Sequence, residues 1–189
     1  MTDAPEGTAS RTAVADPRPV VLIGPMGAGK SSIGKKLSRR LRLPFVDTDR
    51  VVVRRHGPVA EIFAEHGEPR FRELEHDVVA EALTGPGVVS LGGGAVLHPD
   101  TRERLAAATV VLLTVTPEAV EARIAGSARP LLQTGGMAAW RAIADERAPL
   151  YRSLADVELD TSDRPVSTVV DDIVVFLAGH PDPLTERPA

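Results

Sequence analysis

Short, continuously apolar runs alternate along this chain with stretches whose apolar residues recur every three to four positions. The runs Val20-Val21-Leu22-Ile23, Leu43 to Asp47, Val88 to Leu91, Thr109 to Val115 and Val157 to Leu159 have the length and branched content of strands covered on both faces. Between them, Ile33, Leu37 and Leu41 share one helical face. Phe71, Leu74, Val78 and Ala82 form a stripe within the polar helical segment Pro58 to Leu83, with Arg72, Glu75 and Val79 on a neighbouring face. Asp49 is placed to cap a helix from Arg50 to His56. Pro117 opens a helix reaching Ile124, another spans about Ala138 to Arg147 and is expected to stop near Pro149, and Pro165 opens a last one carrying Val166, Val170, Ile173 and Leu177. Strands alternating with helices predict an α/β fold, a three-layer α/β/α arrangement around a parallel sheet of about five strands.

Composition sets the bounds of that domain. Residues 1–18 lack apolar periodicity and read as a disordered leader, residues 19–178 as a single domain, and the proline-rich residues 179–189 as a disordered tail. A chain of 189 residues with 43% hydrophobic content supports one sizeable core. The net charge of −4, with no long basic block, argues against a nucleic-acid partner. With no cysteine, disulfides and thiolate metal sites are excluded. No run approaches a membrane span and the start lacks a signal-peptide layout, so a cytoplasmic location is expected.

The chemistry is concentrated at strand ends. Gly24-Pro25-Met26-Gly27-Ala28-Gly29-Lys30-Ser31 fits G-x-x-x-x-G-K-[ST] between a strand and a helix, the context in which backbone N–H groups and a helix dipole cradle a polyphosphate. Lys30 would neutralise the β and γ phosphates, and Ser31 would offer its hydroxyl to Mg²⁺. The later strands end in Gly92 and Thr114 rather than in an acid, which leaves Asp47 as the candidate metal carboxylate. Asp49 would hold and deprotonate an acceptor hydroxyl, with helix capping as its other reading. Gly92-Gly93-Gly94 suggests close approach by a ligand or another backbone, the alternative being a flexible loop. Residues 125–137, with Gly126, Gly135 and Gly136 around Arg129-Pro130, read as a mobile lid or a plain surface loop. On pattern alone Arg72 is a solvated side chain or a site residue; with Arg152 and Asp49 it would suit an acceptor bearing a hydroxyl and a carboxylate. His56, His66, His76, His98 and His180 show no H-x-x-x-H spacing and read as surface or core residues.

Six motifs in one order carry a resemblance. They are the phosphate loop, Asp47-Thr48-Asp49, Gly67-Glu68 leading to Phe71-Arg72 and Glu75, Leu91-Gly92-Gly93-Gly94-Ala95, Arg129-Pro130-Leu131-Leu132, and Arg147-Ala148-Pro149-Leu150-Tyr151. From about Val20 to Leu177 the chain resembles the shikimate kinases, P-loop enzymes of the nucleoside monophosphate kinase type. The resemblance implies a monomer that transfers the ATP γ-phosphoryl group to the 3-hydroxyl of shikimate with one Mg²⁺. It implies ATP binding by Gly27, Ala28, Gly29, Lys30, Ser31, Ser32 and Arg129, and a metal held by Ser31 and, through water, Asp47. It also implies substrate binding by Asp49, Arg72, Gly93, Gly94 and Arg152, with Lys30, Asp49 and Arg129 catalytic. Arg123 and the loop of residues 162–165 are the candidates for contact with adenine. Gluconate kinases share the phosphate loop and lid, and a non-catalytic nucleotide-binding module is the rival outside enzymes; Asp49 and Arg129 speak against the second.

Overall fold

A computed structural model describes residues 18–124 and 136–179. The leader, the tail beyond Gly179 and most of the expected lid, Arg129 included, lie outside the described residues.

Five parallel strands, β1 (Val20–Ile23), β2 (Phe45–Asp47), β3 (Val88–Ser90), β4 (Thr109–Thr114) and β5 (Val157–Asp160), form one sheet in the order β2-β3-β1-β4-β5. The chain builds β2 and β3 on one side of β1, then crosses to build β4 and β5 on the other. In such sheets the ligand crevice opens at the carboxyl ends of the strands where the order reverses.

The apolar runs are continuous because both faces of the sheet are covered. Val20, Leu22, Val88, Val111 and Leu113 face Ile33 and Leu37 of α1 (Lys30–Leu41) and Val169, Val170 and Ile173 of α7 (Val166–Gly179). The alternate residues Val21, Ile23, Val89, Val110 and Leu112 face Val79 of α3 (Val59–Ala82), Leu105 of α4 (Pro99–Leu105) and Tyr151 of α6 (Gly136–Leu154). This period-two division gives the three layers. A satellite core of Val52, Ile62, Phe71, Leu74 and Val78 joins α3 to α2 (Thr48–His56), and a smaller one of Val120 and Trp140 joins α5 (Pro117–Ile124) to α6.

Three local expectations are corrected, and two short elements are new. Helix α2 starts at Thr48, so its cap is Asp47, whose Oδ1 accepts the Arg50 N–H at 3.2 Å, and Asp49 lies in the first turn. The segment after Pro58 is not one regular helix, because Gly67 breaks it with φ 77°. Helix α6 runs through Pro149 to Leu154 rather than stopping there. Proline forfeits one backbone hydrogen bond, but Leu150, Tyr151 and Leu154 bury against the sheet core and hold the last turn in place. The 3₁₀ turn Ala95–Leu97 and the short α4 have no counterpart in the sequence reading, being too brief to show a period.

Candidate active site

The phosphate loop follows β1 directly. Gly24, Gly27 and Gly29 take φ of 131°, 87° and 85°, a region that L side chains avoid, and a Cβ on Gly24 would collide with the Leu113 carbonyl. Helix α1 then opens without a side-chain cap or an acid in its first turn, so its first N–H groups and positive dipole end face the loop. Lys30 Nζ donates to the carbonyls of Gly24 at 2.6 Å and Pro25 at 2.8 Å, which folds the ammonium back over the loop. Ser31 is half-buried and Ser32 exposed in the same turn.

Across the crevice stand the ends of β2 and β3. Thr48, fully buried, donates to the Ser90 carbonyl at 3.3 Å and accepts the Gly92 N–H at 3.1 Å, which fixes the glycine run beside the acidic pair. Gly92 packs so closely on Asp49 and Glu75 that a Cβ there would overlap both carboxylates. Burial pushes the Asp49 carboxyl above its ordinary range, Lys30 pulls it back, Asp47 raises it further and Arg72 lowers it. Asp49 nevertheless stays open to solvent on one side. The electrostatic pull of Lys30 places the phosphate loop and this acid in one site.

Arg72 is brought into the same place. Its Nη1 donates to Glu75 at 2.6 Å and its Nη2 to Glu68 at 3.0 Å, while a Cβ on Gly94 would strike the guanidinium. Burial works against the charge of Arg72, but Glu75 and Glu68 outweigh it and hold the group more firmly protonated than usual. Glu75, 2% exposed, is itself raised by burial; Arg72 lowers it and Asp49 adds to the rise. It orients the arginine from within, while Glu68, an exposed residue, takes the Nε and Nη2 side of the fork, the side an incoming anion would have to claim from it.

The second expected arginine is corrected. Arg152 pairs with Glu158 at 3.2 Å on an exposed surface, its side chain 61% accessible. Arg147 occupies the crevice instead, donating to the Gly93 carbonyl at 3.1 Å, and Tyr151 donates to the same oxygen at 2.5 Å. The reason is helical phase. Tyr151 lies four residues beyond Arg147 and shares its face, whereas Arg152 lies five beyond and is turned by about 140°. Burial raises the Tyr151 phenol and Arg147 partly offsets that rise, so the phenol stays a donor to the glycine run.

The nucleotide side is pinned from two directions. Arg123 donates to the Gly27 carbonyl at 2.9 Å, to the Ser162 carbonyl at 2.8 Å and to the Thr161 carbonyl, tying the phosphate loop to the loop after β5. Thr161 Oγ1 donates within reach of the carbonyls of Ala28 at 3.1 Å and Thr114 at 2.9 Å. Trp140, 8% exposed on α6, donates its indole N–H to the Met26 carbonyl at 3.0 Å.

Comparison with known proteins supplies the family. A family model described as shikimate kinase matches residues 26–178. The chain belongs to the shikimate kinase family. A shikimate kinase of Mycobacterium avium (strain 104) is 48% identical over 158 residues, covering 82% of this chain and 90% of that protein. One of Pseudomonas syringae pv. tomato is 43% identical over 171 residues, covering 87% and 98%. Among solved structures, the shikimate kinase from Acinetobacter baumannii in complex with shikimate superposes with a TM-score of 0.79 at 31% identity, covering 86% of this chain and 94% of that one. A gluconokinase from Sinorhizobium meliloti 1021, at 19% identity and a TM-score of 0.59, shares the fold. The chain is thus a phosphotransferase with the P-loop kinase architecture.

Within this kinase fold, three contributors were not singled out from the sequence. Thr48 stood only as the spacer between two acids, Arg147 only as the first residue of a motif, and Trp140 not at all. Helical phase would have favoured Arg147, since Tyr151 has the apolar body of a core residue and its face is therefore the inner one. No local signal marks Thr48 or Trp140, whose partners lie 42 and 114 residues away.

Proposed function

We propose that the chain transfers the γ-phosphoryl group of ATP to the 3-hydroxyl of shikimate, giving shikimate 3-phosphate and ADP. The observation that carries this reading is the convergence of one acid, Asp49, and two guanidinium groups, Arg72 and Arg147, on the glycine run opposite the phosphate loop. An acceptor with a carboxylate at one end and a hydroxyl at the other fits that spacing of charge. The A. baumannii relative, solved with shikimate, supports the same acceptor.

In this scheme Arg72 and Arg147 grip the carboxylate, and the backbone of Gly93 and Gly94 leaves room for the ring. Asp49 accepts the proton of the hydroxyl as its oxygen bonds to the γ-phosphorus. The bridging oxygen leaves on ADP, and Asp49 later returns its proton to solvent. Its raised affinity for a proton makes it a stronger base than an ordinary carboxylate. Gly27, Ala28, Gly29 and Ser32 line the phosphate cradle, and Lys30 leaves its carbonyl contacts to meet the β and γ phosphates. Arg129 is assigned from the family resemblance to the γ-phosphoryl charge.

The donor set also fits Mg²⁺. Ser31 offers a hydroxyl at an acid-free helix start, and Asp47, 8% exposed, has one oxygen committed to its cap and the other turned only to an exposed Arg50 at 3.7 Å. Two hard oxygen groups beside a phosphate cradle suit a largely hydrated ion. Mg²⁺ would neutralise charge on the β and γ oxygens. The protein is proposed to act as a monomer in the cytoplasm. Incubation with Mg-ATP and shikimate, followed by ³¹P NMR, tests the assignment: a new phosphomonoester coupled to the ring proton at carbon 3 is expected. Phosphate and ADP without an ester would refute it.

A further inference from the structure

One residue beyond Glu75 on α3, and four beyond Gly94, two histidines remote in sequence meet. The rings of His76 and His98 stack with centroids 4.2 Å apart and planes within 15°. His76 Nδ1 lies 3.4 Å from the buried hydroxyl of Thr101, and its Nε2 lies 3.9 Å from Asp100 Oδ2. His98 Nδ1 is buried and makes no hydrogen bond to the protein, the one such side-chain atom among the described residues. A nitrogen from each histidine and an oxygen from Asp100 lie within 4.8 Å of one another.

We propose that His76, His98 and Asp100 form a second cation site, taking Zn²⁺ or a similar transition metal rather than Mg²⁺, apart from the phosphoryl-transfer centre. Two imidazoles and one carboxylate are a borderline donor set of the kind Zn²⁺ favours, whereas Mg²⁺ wants oxygen throughout. Donors around a tetrahedral Zn²⁺ stand about 3.3 Å apart, given bonds of about 2.0–2.1 Å. The observed spacing, within 4.8 Å, has to contract and the donors have to reorient when the ion binds. Thr101 orients His76 through Nδ1 and leaves Nε2 for the ion, the usual outer-shell arrangement. Parallel rings cannot aim their in-plane lone pairs at one point, so one ring must turn. His98 is the one to do so, because turning it breaks no hydrogen bond at Nδ1 and gives that buried nitrogen a partner. Asp100, 62% exposed, leaves the outer position to water. A bound ion would tie α3, which carries Arg72 and Glu75, to the start of α4.

The proposal is tested on the full-length chain in excess Mg²⁺ without nucleotide, so that hard oxygen sites are already served. Zn²⁺ is titrated against a chromogenic chelator, and Co²⁺ is used in parallel for its visible absorption. One ion per chain with a nitrogen-ligated tetrahedral Co²⁺ spectrum is expected. Loss of an outer-shell group already costs 10- to 100-fold in affinity, so His76→Gln, His98→Gln and Asp100→Asn should each weaken binding by at least about tenfold. His56→Gln and His66→Gln should leave it unchanged. Because Asp100 is exposed, its variant folds even if a histidine variant does not. Unaltered affinity in Asp100→Asn and His76→Gln, or no Zn²⁺ binding above the Mg²⁺ background, overturns the proposal.

Discussion

Replacing Arg147 by alanine, with Arg152→Ala as its partner experiment, separates the two arginines that sequence alone could not. Arg147 sits in the crevice on the Gly93 carbonyl; Arg152 is paired with Glu158 in solvent. A hydrogen bond to a charged group contributes roughly 1.5–3 kcal/mol, and a guanidinium on a carboxylate in a partly closed site lies at the upper end. Loss of about 3 kcal/mol corresponds to a fall of roughly a hundredfold in kcat/KM for shikimate. The exposed Arg152 pair is worth about 0–1 kcal/mol and makes no approach to the site, so its variant should stay within about threefold of the parent. Part of the Arg147 effect will come from the glycine run, whose carbonyl loses one donor but keeps Tyr151. Steady-state ADP release at varied shikimate and saturating Mg-ATP measures the main effect, and ADP affinity checks that the nucleotide side is untouched. A hundredfold loss in Arg152→Ala with Arg147→Ala near the parent would refute the phase argument and the clamp built on it.

Other expectations follow from the same geometry. Asp49→Asn should lower kcat by at least about a hundredfold, as expected for a missing general base, with ADP binding retained in a calorimetric titration. Asp49 and Glu75 both hold their protons more tightly when folded, so the stability they contribute is present below the ordinary carboxylate range and lost as pH rises through their raised values. Asp49→Asn is therefore expected to raise Tm at pH 7 and to lose that advantage in acid; a lower Tm at pH 7 would contradict the burial argument. Gly94→Ala drives a methyl into the Arg72 guanidinium and should raise the KM for shikimate about tenfold or more while sparing the KM for ATP. Trp140→Phe removes the indole donor from the Met26 carbonyl, about 1 kcal/mol, and should weaken ADP binding roughly fivefold in fluorescence-independent titrations.

The sequence was most informative where chemistry demands a fixed local pattern. The phosphate loop could be placed because its glycines, lysine and serine act within one strand–helix turn, and the five strands because burial on both faces leaves unbroken apolar runs such as Thr109 to Thr114. Asp47 and Asp49 were legible as a pair past a strand end, but their division of labour was not. Which of them caps α2 depends on a start two residues earlier than the propensity of Arg50 suggests. Arg152 was misplaced because Pro149 reads as a helix stop, and the phase of a residue beyond a stop carries no meaning. Once α6 is seen to continue, Arg147 and Tyr151 fall on one face. The meeting of His76 with His98 was hidden for a different reason: metal-ligand spacing rules see short intervals, and these residues are brought together by the packing of α3 against α4.

The central claim, an acceptor site for shikimate facing an ATP phosphate cradle, is tested most directly by ADP release from the purified protein with Mg-ATP, with shikimate, with gluconate and with neither. Strong stimulation by shikimate alone is expected. Equal slow hydrolysis in all three conditions, or stimulation by gluconate in place of shikimate, would contradict it.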